Sequence, residues 1–148
     1  MTVADKVLLS ADGMTAMIRR IFSAAGADNK EAETIAANLV GANLAGHDSH
    51  GVVRVPWYLS WVKAGTLNFG RSMEVVLDND TFALTDGNNG FGQMIGREAV
   101  EFGLKKAGKH GAAIIGLRRS GHLGRIGHWA EIACARGFVS IHFVNVAQ

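Results

Sequence analysis

Proline occurs once in the 148 residues, at position 56, and cysteine once, at position 134. A single thiol excludes an internal disulfide framework, and the chain reads as one for a reducing compartment, the cytoplasm. With so little proline, no extended proline-rich linker can be drawn, and turning is left to 19 glycines. No apolar run reaches the roughly 18 residues of a membrane span, and the first residues lack the basic-then-apolar pattern of a secretory leader. Excess charge is also scarce. A formal net charge of +2, with the basic residues scattered and no aromatics interleaved among them, excludes a nucleic-acid surface. Gly-x-Ser-x-Gly is missing, and no Ser-His-Asp triad can be assigned.

What is present suits one soluble globular core, since 48% of the residues are hydrophobic and 19% charged. Met14, Met17, Ile18, Ile21, Phe22 and Ala25 follow helical spacing, as do Ala32, Ile35, Ala36, Leu39 and Val40. The spacing predicts helices over 14–25 and 29–44, the second opened by an Asp28/Glu31 capping box. A third helix follows Pro56, with Trp57, Tyr58, Trp61 and Val62 on its apolar face. The pattern then changes. Short strands are predicted at 74–77 and 82–84, a loop at 86–90 and a helix over about 92–108. A buried strand at 112–117, a helix at 126–136 and a last strand at 138–146 complete the order. Alternation of strand and helix predicts a partly parallel α/β layer, with a helical portion over 1–68 and an α/β portion over 69–148. Cys134 falls in a helical apolar pattern and is expected in the core. Because the chain stops directly after an apolar strand, it is expected to be the front part of something longer.

Three polar segments are candidates for chemistry. Ser120-Gly121-His122-Leu123-Gly124 sits at a strand-to-helix corner, where ligands bind in open α/β sheets. A neutral imidazole there can take or give one proton near pH 7, and a following helix N-terminus disfavours its cation. The alternative is a solvent-exposed turn histidine. Ser49-His50-Gly51 with Arg54 is the second segment. It is either a capping serine with surface polar residues or a histidine beside a guanidinium fork suited to a carboxylate. His47, Asp48 and His50 lie too close together for metal-ligand spacing, so no metal is assigned. Asp86-Gly-Asn-Asn-Gly90 before a helix lacks both the Gly-Lys-Ser/Thr ending of a phosphate loop and the dinucleotide glycine spacing. It reads as a structural turn.

Taken together, Gly46-His-Asp-Ser49-His50-Gly51-x-x-Arg54-x-x-x-Tyr58, Asp86-Gly87-x-x-Gly90-x-Gly92-Gln93 and Ser120-Gly-His122-x-Gly124 resemble, in order, the motifs of the malate/L-lactate dehydrogenase family that lacks a Rossmann fold. Ureidoglycolate and sulfolactate dehydrogenases and piperideine-2-carboxylate reductase are among its members. The resemblance runs from about residue 10 to the end. It implies an α/β fold in which the helical portion precedes the first part of a non-Rossmann, mixed-sheet cofactor-binding domain, here cut short. It implies reversible hydride transfer between NAD or NADP and a small 2-hydroxy or 2-oxo acid. His122 and His50 match catalytic positions, with His122 the acid/base. Arg54, Tyr58 and Ser49 match the substrate site, with Arg54 suited to the substrate carboxylate. Gly124 and Asn145 match cofactor-contacting positions. A homodimer or larger assembly is implied, with neither nucleic acid nor membrane as partner. Two alternatives remain at this point: an inactive paralogue serving as an oligomerisation or interaction module, and an unrelated small α/β binding protein.

Overall fold

A computed structural model describes residues 8–145. Helix α1 (Ala11–Ala24) begins where the Ser10 hydroxyl accepts from Gly13 N at 3.1 Å, three residues ahead of the helix predicted from apolar spacing. Helix α2 (Asn29–Leu44) begins on Asp28, whose carboxylate accepts from Glu31 N at 2.8 Å. Only half of the predicted capping box forms. The Glu31 carboxylate turns inward and accepts from Gly70 N at 3.0 Å, fastening the segment around Gly70 onto α2. Burial raises its pKa, and that hydrogen bond works the other way.

After α2 the backbone winds through two 3₁₀ turns, Asp48–His50 and Val52–Arg54, into helix α3 (Val55–Lys63), with Pro56 in its first turn. Strands β1 (Glu74–Asp78) and β2 (Phe82–Gly90), helix α4 (Gly92–His110), strand β3 (Ile114–Ser120) and helix α5 (Gly127–Cys134) follow. The three strands lie in the order β1-β2-β3, β1 antiparallel and β3 parallel to β2. Helix α4 makes the crossover that a parallel pair requires. The mixed α/β layer expected from the sequence is therefore present.

Four sequence expectations change. The loop predicted at 86–90 belongs to β2, because Asp86 pairs opposite Arg118 and Gly90 opposite Ser120, with an irregularity between them. Asn88 and Asn89 take positive φ there, which their short polar side chains tolerate. The strand predicted as buried at 112–117 runs from 114 to 120 and is half-exposed, because β3 pairs on one side only and Ile114 is open to solvent. No strand forms over residues 138–145. A strand needs a neighbour for its backbone, and this segment has none among the described residues, leaving Val139 and Phe143 exposed. Cys134 is exposed too, since Trp129 and Ala133 supply the buried face of α5. No helix among the described residues is long and apolar enough to cross a membrane.

One buried cluster joins the two halves of the chain. Ile18 and Phe22 from α1, Ile35 and Leu39 from α2, and Tyr58 from α3 pack with Leu67 and Phe91. Phe22 sits at its centre, with its ring 5.8 Å from Phe91, 6.4 Å from Tyr58 and 6.5 Å from Phe69. Helix α5 docks where Trp129 packs on Gly96 of α4, so closely that a Cβ on Gly96 would come within 2.7 Å of the indole. Truncating Phe22 to alanine removes a fully buried ring from this cluster and should cost about 3–5 kcal/mol. Urea unfolding would read this as a lowered midpoint, whereas a loss under ~1 kcal/mol would place the core elsewhere.

Candidate active site

Asn43, in the last turn of α2, shapes the first polar segment. Its amide donates to the Asp48 carboxylate at 2.5 Å, and its carbonyl accepts from Val52 N at 2.8 Å. Gly51 passes so close that a Cβ would lie 2.1 Å from the Asn43 oxygen. Held this way, the two 3₁₀ turns present Ser49, His50 and Arg54 on one side. The Ser49 hydroxyl bonds His50 Nδ1 at 2.9 Å, and Arg54 Nε donates to the Ser49 carbonyl at 2.6 Å. The Arg54 guanidinium lies over the Trp57 ring, 4.5 Å from its centre, which aims the fork and leaves its outer edge free. The His47 ring stands edge-on to His50 at 4.4 Å.

The second segment arrives from the sheet. Gly121 N donates to the Gly90 carbonyl at 2.8 Å, anchoring the exit from β3 beside the exit from β2. The His122 carbonyl then lies against Gly92, where a Cβ would come within 2.2 Å of it. Trp129 Nε1 donates to the Leu123 carbonyl at 3.0 Å and ties the corner to α5. The chain turns at Gly124, whose φ of +69° favours glycine, and its N–H points back to His122 Nδ1 at 3.2 Å. Tyr58 Oη is 2.8 Å from the same nitrogen, and Gln93 Nε2 donates to that Oη at 2.9 Å. The imidazoles of His50 and His122 are 5.0 Å apart.

The structure thus gathers His122, His50, Arg54, Ser49 and Tyr58, four of them from a segment remote in sequence from the fifth. Gly124 is buried beneath His122, its N–H engaged by the imidazole. Asn145 stands apart in the exposed segment after α5. Two residues given no role from the sequence are central. Asn43 follows Leu39 by four residues on the apolar face of α2 and is half-buried, and Gln93 is fully buried on α4, so each is polar where helical spacing expects an apolar side chain. That mismatch was the available signal. Asp86 is buried as well. It accepts from Arg119 and Arg118 and from Asn88 N, and these contacts, led by Arg119, hold its carboxyl down at about 2.

The electrostatics favour a neutral His122. Burial, then the Arg54 charge, then His50 push its pKa down to about 4. The helix anticipated from the sequence, α5, starts five residues after His122, at Gly127. His50 is also lowered, by burial, His47 and Arg54. Burial pushes the Tyr58 phenol up to about 12, so its hydroxyl keeps its hydrogen. A neutral imidazole beside a neutral phenol and a partly free guanidinium can exchange one proton with a ligand oxygen while holding a carboxylate.

The profile of the malate/L-lactate dehydrogenase family matches residues 9–148. Hydroxycarboxylate dehydrogenase B of Escherichia coli K12 is 41% identical over 136 residues, which are 92% of this chain and 38% of that protein. Malate dehydrogenase of Pyrococcus abyssi is 32% identical over 139 residues, again 38% of its length. Among solved structures, malate dehydrogenase from Pyrococcus horikoshii superposes with a TM-score of 0.84 at 31% identity, over 93% of this chain and 40% of that one. Sulfolactate dehydrogenase from Methanocaldococcus jannaschii does so with 0.83 at 29%, over 88% and 38%. The chain thus spans about two-fifths of the length of the relatives it matches. With the match running through all three polar segments and the fold superposing, the chain belongs to the malate/L-lactate dehydrogenase family.

Proposed function

We propose that the protein carrying this chain interconverts a small 2-hydroxy acid and its 2-oxo acid with NAD or NADP, and that this chain supplies the proton-transfer and carboxylate-binding side of the site. The observation that carries the reading is the neutral His122 imidazole, fixed through Nδ1 by Tyr58 and Gly124, with His50 and Arg54 beside it. Removing hydride from an alcohol carbon needs a group for the hydroxyl proton and an anchor that orients the carbon, and this donor set fits that need. The nicotinamide, when bound, supplies the hydride acceptor or donor. Gly124 and Asn145 are the proposed contacts of this chain with it.

In this reading His122 exchanges the proton through Nε2, the ring nitrogen its fixed contacts leave free. Arg54 takes the substrate carboxylate with its planar fork, and Ser49 and Tyr58 line the same side. His50 offers a second imidazole to the reacting oxygen. Substrate binding also adjusts the base. Arg54 is one cause of the low His122 pKa, so a carboxylate on Arg54 offsets that charge and raises His122 toward the pH at which proton exchange is efficient. A homodimer working in the cytoplasm belongs to the same proposal.

Titration with NADH, followed by its fluorescence, tests the reading at its root: a protein carrying this chain that does not bind NADH or NADPH is not this enzyme. His122→Ala should lower turnover by ~10²–10⁴-fold while cofactor affinity is kept, and near-normal turnover would remove His122 from its role. Arg54→Lys keeps the charge and loses the two-pronged geometry, so KM for the acid should rise well before kcat falls. An unchanged KM would count against Arg54 as the anchor.

The low His122 pKa also bears on folding. Between its ordinary 6.5 and about 4 the unfolded chain binds more protons than the folded one. Stability should therefore be complete above pH 6.5 and fall as the pH drops toward 4. His122→Gln should shrink that loss, as read from urea midpoints at pH 7.5 and 5. His50 and His128, lowered in the same direction, leave part of the slope in place. Equal losses in both proteins would show that His122 does not titrate this way.

A further inference from the structure

Gln93 is fully buried in the first turn of α4, and nothing in the acid–base assignment so far uses it. Its amide nitrogen donates to Tyr58 Oη at 2.9 Å, and its amide oxygen is buried with no hydrogen-bond partner among the described residues. A buried amide that leaves its oxygen unsatisfied is held for what its nitrogen does. We propose that Gln93 is a positioning residue that fixes the tautomer of His122 through Tyr58, keeping Nδ1 bare and the imidazole hydrogen on Nε2.

The argument follows the hydrogens. Tyr58 has one hydroxyl hydrogen, and its oxygen already accepts from Gln93 Nε2. The hydroxyl hydrogen is then directed to the other neighbour, His122 Nδ1, at 2.8 Å. A second contact agrees and cannot be reversed. Gly124 N–H, which can only donate, points at the same Nδ1 from 3.2 Å. An N–H on Nδ1 would face that donor directly. With Nδ1 accepting twice, the neutral ring carries its hydrogen on Nε2. The reverse amide orientation would put the Gln93 oxygen on Tyr58, draw the phenol hydrogen away and leave Nδ1 to donate toward the phenol, against Gly124. The Gly124 contact and the Gln93 amide therefore select one tautomer from two sides.

This deepens the assignment of His122 as the proton-exchanging group and rests on it. A ring that presents Nε2–H meets a ligand oxygen as a donor. The resting ring therefore donates a hydrogen bond to the carbonyl oxygen of a 2-oxo acid. To take a hydroxyl proton at Nε2 it must first pass to the tautomer with its hydrogen on Nδ1, so the resting site is set for the oxo acid.

Tautomers are read directly by long-range ¹H–¹⁵N correlation of the histidine rings in the ligand-free chain, with His122 assigned by the signals lost in His122→Gln. The native chain at pH 7 should show an unprotonated Nδ1 and a protonated Nε2 for His122. Gln93→Glu places a carboxylate, which only accepts, against Tyr58. It should take the phenol hydrogen, bring Nδ1–H onto His122 and raise its titration midpoint by about one unit or more, a tenfold change in proton affinity. Gln93→Met fills a similar volume without a donor and should give a mixture of tautomers, which covers the case in which the glutamate variant does not fold. A native His122 protonated on Nδ1 overturns the proposal, as does a tautomer unchanged in the variants that fold. Because no cofactor or substrate is present, this result is separate from NADH binding, so failure of the positioning role and failure of the dehydrogenase reading can be told apart.

Discussion

The hydrogen bond between Tyr58 Oη and His122 Nδ1 joins two things that otherwise have little to do with each other. The Tyr58 ring is part of the buried cluster built by α1, α2 and α3, while its hydroxyl reaches the corner after β3. The helical half therefore sets the position of a side chain that belongs to the sheet half. This works only if the phenol stays neutral and its oxygen is approached from the right side. Burial keeps the phenol protonated, and Gln93 approaches from α4. Packing and proton chemistry here rest on the same residue.

The charges around that bond act in one direction. Burial, then the Arg54 charge and the neighbouring His50 imidazole, make a protonated His122 costly. Such a site is tense toward cations and receptive to an anion. A ligand carboxylate would relieve the guanidinium and the imidazole together, so binding and proton affinity are coupled without any movement of the protein. Elsewhere the balance is reached internally, as where Asp86 accepts from both Arg118 and Arg119. The Arg54 fork, by contrast, touches among the described residues a backbone carbonyl and an indole face.

Much of this was legible in the sequence, and the exceptions share a cause. Helical spacing located α1, α2 and α4, and glycine-flanked polar segments located His50, Arg54 and His122. Those signals are local. The segment over 138–145 has the alternation of a strand, yet a strand is a pairing, and its partner is not written in its own residues. The extension of β2 through Asp86 has the opposite cause: residues typical of a turn are held in the sheet by arginines far along the chain. Gln93 and Asn43 were visible only as polar residues on apolar faces. Their roles depend on which backbone and side-chain groups the fold brings within reach.

Asn43 and Gly51 form a pair fixed by one contact. The asparagine fills the space a side chain at 51 would occupy, and in return it holds both ends of the turn that carries Ser49 and His50. Neither can vary freely while the other stays. A residue larger than glycine at 51 must push the Asn43 amide aside, and with it the two hydrogen bonds that shape the turn. Change at Ser49 or His50 can therefore alter what the turn displays, whereas change at Asn43 or Gly51 alters the turn itself.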